Sequence, residues 1–195
     1  RANIESAGGH SIDLPSPESA DLQSEDPFKG NVNLSALHET LQEKSSDVAF
    51  FLMTVTNNSI GGQPVSCENV RQAQKIVKEY GIPFFIDAAL FAENSYFIKL
   101  REPGFHDRSV AEIAREIFSY ADGVLMSAKK DAFANIGGFL AVKDPQLAES
   151  IRQRMVITEG FPTYGGLAGR DLEAIATGLE EIQDENYLAY RLRSI

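Results

Sequence analysis

The chain has 195 residues, of which 43% are hydrophobic and 24% charged, as in an ordinary globular protein with one sizeable core. The net charge of −10 argues against nucleic acid or an anionic membrane as a partner, because both need a basic face. No apolar stretch reaches the roughly 20 residues of a membrane span. Cys67 is the only cysteine, which excludes a disulfide within the chain and leads us to expect a reducing, cytoplasmic location.

The first part of the chain is polar. Residues 1–30 are predicted to be mostly loop, with at most a short strand near residues 12–14. Asn33 can cap a helix in which three leucines recur at helical spacing. The continuous apolar run of residues 47–56 then predicts a strand buried on both faces.

Helices and strands alternate through the middle of the chain. Ser66 predicts the N-cap of a helix that Gly81 ends, and a strand follows at residues 82–87. Ser109 opens a capping box and a further amphipathic helix. The next strand is predicted at residues 123–127.

The last third contains one more strand and two or three helices. The strand is predicted at residues 137–142, and a helix starts at Asp144, which a proline follows. We expect the buried face of that helix to consist of Leu147, Ile151 and Met155. A helix begins near Asp171, and a helix-like pattern at residues 187–192 stops abruptly. Because the chain also starts with Arg1 rather than methionine, we expect a piece of a longer polypeptide or one chain of a split protein.

Strands alternating with helices predict an α/β fold with a mostly parallel sheet and helices on both faces. Ligands of such sheets bind at the carboxyl ends of the strands. Asn58, Asp87 and Lys130 each follow or end a predicted strand, so one crevice could collect all three. For any one of them alone, an ordinary loop residue is the simpler interpretation.

The pair Lys129–Lys130 follows a strand that reads as buried. Desolvation and a neighbouring cation both favour the neutral amine that forms a Schiff base with an aldehyde. Pyridoxal phosphate (PLP) needs such a lysine together with a carboxylate at its pyridinium nitrogen, and Asp87 can supply the carboxylate. We count Lys129 among the cofactor-binding candidates. The alternative is a solvated lysine pair and an acid that caps a turn.

Four stretches, residues 54–66, 91–99, 127–132 and 159–167, resemble the aromatic amino acid β-eliminating lyases, tryptophanase and tyrosine phenol-lyase. The resemblance implies the aspartate-aminotransferase-like fold of PLP enzymes (fold type I), with the strand at 137–142 antiparallel to the others. Residues 1–195 would be part of the PLP-binding large domain, without the family's N-terminal part and C-terminal small domain.

The resemblance also implies roles for single residues. Lys130 matches the Schiff-base lysine and the general base that removes the Cα proton. Asp87 matches the acid paired with the pyridine nitrogen, and Asn58 the asparagine at the cofactor's 3′-oxygen. Ser127 matches a phosphate-binding hydroxyl. Asn135 is similar to the position that helps to hold a monovalent cation, usually potassium.

The implied reaction is β-elimination from an aromatic L-amino acid, which releases the ring compound, pyruvate and ammonia. Residues 161–164, Phe-Pro-Thr-Tyr, favour tryptophan as substrate and indole as product, and residues 127–130 also lean that way. Residues 166–171 lean towards tyrosine phenol-lyase, which stays the alternative.

Two differences from the family's usual sequence leave a second hypothesis, in which the chain is not an enzyme but a truncated, non-catalytic remnant of the family. Leu90 stands where the family usually has an arginine near the cofactor oxygen. The family's upstream phosphate loop, and the arginine that binds the substrate carboxylate, would lie outside this chain. We expect uncovered apolar faces and sheet edges to make the chain a homo-oligomer, or to require assembly with the missing parts.

Overall fold

The computed structural model describes residues 2–194, so Arg1 and Ile195, the two ends of the predicted domain, lie outside the described residues. Its centre is a four-stranded sheet with the strands in chain order. The strands are β1 (Phe51–Thr54), β2 (Phe84–Asp87), β3 (Gly123–Ser127) and β4 (Gly138–Val142). The α/β architecture predicted from the alternation of elements is confirmed.

Strand direction agrees with the expectation from the family resemblance. β1 pairs with β2 and β2 with β3 in parallel, whereas β4 runs antiparallel to β3. Parallel neighbours need long crossover connections, and helices supply them here. All three parallel strands therefore end at the same edge of the sheet.

Eight α-helices accompany the sheet in residues 2–194. They are α1 (Ala2–Ser6), α2 (Leu34–Lys44), α3 (Cys67–Glu79), α4 (Phe91–Arg101), α5 (Val110–Ser119), α6 (Pro145–Thr158), α7 (Gly169–Glu181) and α8 (Glu185–Arg193). The capping residues predicted for α2, α3, α5 and α6 each accept a backbone N–H of the first turn through the side chain. Capping of this kind satisfies donors that the helix itself leaves unpaired.

The sequence pattern missed α4, because its buried side is partly polar. Asn94 and Ser95 are fully buried and Glu93 nearly so. Asn94 accepts the Val65 N–H (2.8 Å) and donates to the Val65 carbonyl (3.0 Å), so it costs little to bury. A search for apolar residues at helical spacing does not find such a helix.

Three predictions about local structure are wrong. β1 is only four residues long, and Leu52 on one of its faces is 37% exposed, so the strand is not buried on both sides. Residues 12–14 form no strand; only the next residue, Pro15, makes an isolated bridge, and a short helix precedes them. α6 has no buried residue, because its main packing partner is β4 and this contact leaves Leu147 exposed and Ile151 and Met155 only partly buried.

The core lies between the sheet and helices α2–α5, with contributions from α7 and α8. It includes the fully buried side chains of Val55, Val65, Val70, Ile86, Ile98, Ile113, Ile182 and Leu188. Among residues 2–194, no helix is both long and apolar enough to cross a membrane.

A close approach between α7 and the segment after β3 predicts a sensitive position. A methyl group on Gly178 would overlap the carbonyl of Ala132. We expect Gly178→Ala to lower the free energy of unfolding by about 1–3 kcal/mol, because backbone must move to admit the methyl group. Gly169→Ala is the matched control on the same helix, since nothing lies within 4 Å of that position. Urea unfolding of both variants measures the effect, and equal stabilities would contradict the packing described here.

Candidate functional site at the carboxyl edge of the sheet

Two of the predicted site residues lie on neighbouring strands at the same edge. Asp87 is the last residue of β2 and Ser127 the last of β3. In the parallel register Asp87 pairs with Leu125, so Ser127 lies two residues further along its strand. The Ala88 N–H donates to the Leu125 carbonyl (2.8 Å), which continues the ladder past the end of β2. The edge therefore presents a carboxylate and a hydroxyl on adjacent strands.

Lys130 lies in a tight turn that leaves this edge directly after β3. The Ala128 N–H donates to the Gly137 carbonyl (2.9 Å), and the Ala134 N–H donates back to the Ala128 carbonyl (3.1 Å). Within the turn Lys130 is half-buried, whereas Lys129 is exposed. The fold thus distinguishes the two lysines and shelters the second one.

The remaining predicted residues are more open. Asn58 is exposed and begins a one-turn helix, Asn58–Ile60, that follows β1. Gly61 and Gly62 then take positive φ values (80° and 75°), a conformation that glycine adopts without strain. Asn135 is exposed in the turn before β4. No group of three or more His, Cys, Asp or Glu side chains in residues 2–194 is arranged to hold a metal ion.

A buried hydroxyl and a half-buried carboxylate lie near this edge. The Thr56 hydroxyl, two residues beyond β1, has no hydrogen-bond partner among the described residues. The Asp87 carboxylate accepts the Ala89 N–H through Oδ1 (3.2 Å), which orients it relative to the turn that follows β2. An unpaired buried hydroxyl costs free energy, so its presence here is a feature of a site rather than of a packed core.

A buried charged cluster, which the sequence did not reveal, lies beside Lys130. Asp131 is fully buried, and its Oδ2 accepts the Ala92 N–H at the start of α4 (2.8 Å). Arg191 of α8 lies 3.4 Å from Asp131 Oδ1 and 2.5 Å from Glu93 Oε1. We call Asp131, Glu93 and Arg191 the acid–arginine cluster. In the sequence, the one available signal was an acid directly after the lysine pair, which a surface turn would also show.

The acid–arginine cluster contains two buried carboxylates and one guanidinium. Burial is the largest cause that raises the pKa of Asp131 from 3.8 to about 7, and the Glu93 charge adds to it, while the Ala92 N–H and Arg191 act against it. Burial likewise raises the pKa of Glu93 against the opposing effect of Arg191. One guanidinium balances one carboxylate, so the two acids hold a proton to unusually high pH.

Two surface depressions lie away from these residues. One, of about 380 Å³, is lined by Leu34, Ser35, His38 and Glu39 of α2. The other, of about 740 Å³, is lined by Phe133 and by residues of α7, α8 and the turn between them. Neither is lined by Lys130 or Asp87, which lie at the carboxyl edge of the sheet.

The family of the chain follows from sequence comparison. The family model described as beta-eliminating lyase matches residues 1–194. The chain belongs to the beta-eliminating lyase family. Tryptophanase of Hyphomonas neptunium is 56% identical over 194 residues, and tyrosine phenol-lyase of Intrasporangium calvum is 46% identical over 196 residues. Each match covers the whole chain but 43% and 41% of the relative, so the chain spans about two fifths of their length.

A solved structure supports the fold. The SepCysS–SepCysE N-terminal domain complex superposes with a TM-score of 0.58 at 19% identity, covering 94% of this chain and 43% of the other. At that identity the likeness concerns the fold alone. It agrees with the fold type I architecture expected from the family resemblance.

The acid–arginine cluster predicts a pH dependence of stability. Asp131 binds its proton more tightly in the folded than in the unfolded chain, so the stability it contributes is fully present below pH 3.8 and lost as the pH rises through about 7. We expect Glu93→Gln to flatten this loss, because it removes the charge that opposes ionisation of Asp131. Urea unfolding at about pH 5 and about pH 8 measures the difference.

The control for that experiment is Glu173→Gln, which removes an exposed carboxylate of α7 with no contact to the cluster. It should change stability equally at both pH values. If the two variants show the same pH dependence as each other and as the unaltered protein, the buried acids do not share a proton.

Proposed function

We propose that this chain is the cofactor-binding part of a PLP-dependent lyase that performs β-elimination on an aromatic L-amino acid. The observation that carries the proposal is the position of Lys130 directly after β3, next to a β2 that ends in Asp87, in a chain of the beta-eliminating lyase family. An amine and a carboxylate on adjacent strand ends are the two groups that hold opposite sides of the PLP ring.

The donor set fits PLP. The cofactor offers an aldehyde, a ring nitrogen, a phenolic oxygen and a phosphate, and the edge offers an amine, a carboxylate, an amide and hydroxyls. The buried Thr56 hydroxyl without a partner is an additional donor at this edge. The departure is Leu90, which brings no charge to the connection between β2 and α4. The chain thus offers a partner for the ring nitrogen (Asp87) and for the aldehyde (Lys130), but it lacks a charged donor for the phenolic oxygen.

Each residue has a distinct proposed role. Lys130 would hold the aldehyde through its amine, and that amine, when free, would accept the substrate's Cα proton. Asp87 keeps a proton on the ring nitrogen, and the bound cofactor supplies an electron sink for the negative charge at Cα. Ser127 donates to the phosphate, Asn58 to the phenolic oxygen, and Lys129 adds positive charge nearby.

Tryptophan is the substrate that we favour. Three tryptophanases are 54–56% identical to this chain and a probable tryptophanase is 50% identical, whereas tyrosine phenol-lyases are 43–46% identical. The Phe161–Tyr164 segment, which resembles tryptophanase, supports the same choice. Tyrosine stays the alternative, with phenol as the leaving group.

Assembly and ion binding complete the proposal. β4 carries exposed Phe139 and Leu140, and Ile157 of α6 is 89% exposed, so a second copy or further polypeptide of the enzyme would cover an apolar surface. The turn of Asn135 is the proposed contact for a potassium ion. The cytoplasmic location remains a prediction from the sequence. The assignment of the chain to the family's large domain is also a prediction.

The test is to identify the lysine that binds PLP. With PLP added, we expect a visible absorbance band, and borohydride reduction should then fix the pyridoxyl group on Lys130. Lys130→Gln should abolish the band, whereas Lys129→Gln, which changes the exposed neighbour, should keep it with weaker binding. Mass mapping of the labelled peptide identifies the residue. Label spread over surface lysines, or no band in the unaltered protein, would support the non-catalytic remnant instead.

Leu90 provides a separate prediction. Restoring a charged donor with Leu90→Arg should tighten PLP binding by roughly tenfold, as one added charge-assisted hydrogen bond of about 1.5–3 kcal/mol allows. Leu90→Met is the matched control, because it keeps the volume and adds no charge. PLP titration followed by absorbance measures both. Equal affinities would mean that residue 90 does not reach the cofactor.

A further inference from the structure

Lys130 is attached to the rest of the site through the residue that follows it. The Asp131 N–H donates to the Ala89 carbonyl (3.3 Å), and Asp131 Oδ2 accepts the Ala92 N–H (2.8 Å). Ala89 lies in the connection that leads from Asp87 into α4, and Ala92 lies in the first turn of α4. The backbone and side chain of one residue therefore tie the lysine turn to the segment that begins with the proposed carboxylate partner.

Arg191 holds the same residue from the opposite side. Its guanidinium lies 3.4 Å from Asp131 Oδ1 and also pairs with Glu93, so α8 is joined to both the lysine turn and the first turn of α4. A second ion pair between α4 and α8, Lys99 with Glu185 (2.9 Å), keeps the two helices aligned. Asp131 is thus held by a hydrogen bond at Oδ2 and by charge attraction at Oδ1, which has no hydrogen-bond partner among the described residues, while Lys130 itself stays half-buried.

A helix cap alone does not require this arrangement. Ser, Thr or Asn can accept an N–H at a helix start without bringing a charge into the interior. A fully buried carboxylate needs a counterion, and here two acids compete for one guanidinium. The free energy needed to bury this carboxylate is spent at the residue next to Lys130. This indicates that the position of the lysine must be fixed.

We propose that Asp131 is a positioning residue, which holds the Lys130 turn against the start of α4 and so fixes the amine relative to the Asp87 carboxylate. The inference rests on the proposed function, in which Lys130 and Asp87 bind opposite sides of one cofactor. Asp131 acts through the backbone of the turn. When the Asp131 side chain is removed, Lys130 and Asp87 remain in the chain, but the distance between them is no longer fixed.

A matched control exists elsewhere in the fold. Glu102 is a buried carboxylate that accepts the N–H groups of Cys67 and Glu68 at the start of α3, and burial raises its pKa as it does for Asp131. It caps a helix start without touching the lysine turn. Glu102→Gln therefore reports the effect of disturbing a buried cap, separate from any effect on Lys130.

The experiment compares Asp131→Asn, Asp131→Ala and Glu102→Gln by two readouts. The first is labelling of the cofactor-free protein with an amine-reactive reagent, with the ratio of Lys130 to Lys129 modification read by mass mapping. The second is the PLP dissociation constant. We expect Asp131→Asn, which keeps an acceptor for Ala92 but loses the ion pair, to change the labelling ratio about twofold. Asp131→Ala should change it more and weaken PLP binding at least tenfold.

Glu102→Gln should lower the melting temperature while leaving both the labelling ratio and the PLP affinity unchanged. Equal changes in the Glu102 and Asp131 variants, or an unchanged ratio in both Asp131 variants, would overturn the positioning role. If Asp131→Ala does not fold, the ratio in Asp131→Asn decides. If the unaltered protein binds no PLP, the proposed function fails, and the labelling ratio still tests the position of Lys130.

Discussion

The parallel pairing of β2 with β3 is the constraint on which the candidate site depends. Strand order and direction bring Asp87 and Ser127 to one edge and start the Lys130 turn there. If the pairing slipped by one residue, every side chain of β3 would change faces. The buried side chains of Ile86 and Met126 oppose such a slip, so the core that stabilises the sheet also sets the geometry of the edge.

The acid–arginine cluster extends this control beyond the sheet. The ladder continues past β2 and β3 through the Ala88 and Ala128 N–H groups, and the turn that follows buries Ala128, Ala132 and Ala134 in the core. Asp131 and Arg191 add a polar restraint by joining the turn to α4 and α8. The sheet thus sets the positions of β2 and β3, and we infer that the buried ion pair sets the position of Lys130. Burial raises the pKa of both acids, which makes that restraint sensitive to pH.

Much of the fold was predictable because it follows from local rules. Helix caps such as Ser66 and Ser109, and the alternation of apolar strands with helices, act over short distances and appear in the sequence. The antiparallel β4 came from family resemblance, since residues 137–142 alone carry no signal of direction. The polar face of α4 and the open side of α6 were not predictable, because burial there depends on partners distant in the chain.

The same distinction applies to the site. Asp87 and Lys130 follow apolar runs, so their place at an edge could be predicted from strand ends alone. The role of Asp131 depends on Arg191, sixty residues later in the chain, and no spacing rule connects the two. Sequence reasoning therefore identified the groups that we propose to bind the cofactor, and it missed the group that we propose holds one of them in place.

The most direct test of the central claim is a crystal structure of the protein with PLP. The account predicts continuous electron density from Lys130 Nζ to the cofactor. It also predicts that the ring nitrogen lies within hydrogen-bond distance, about 2.7–3.2 Å, of an Asp87 carboxylate oxygen. Cofactor bound to another lysine, or a ring nitrogen that does not meet Asp87, would contradict the account.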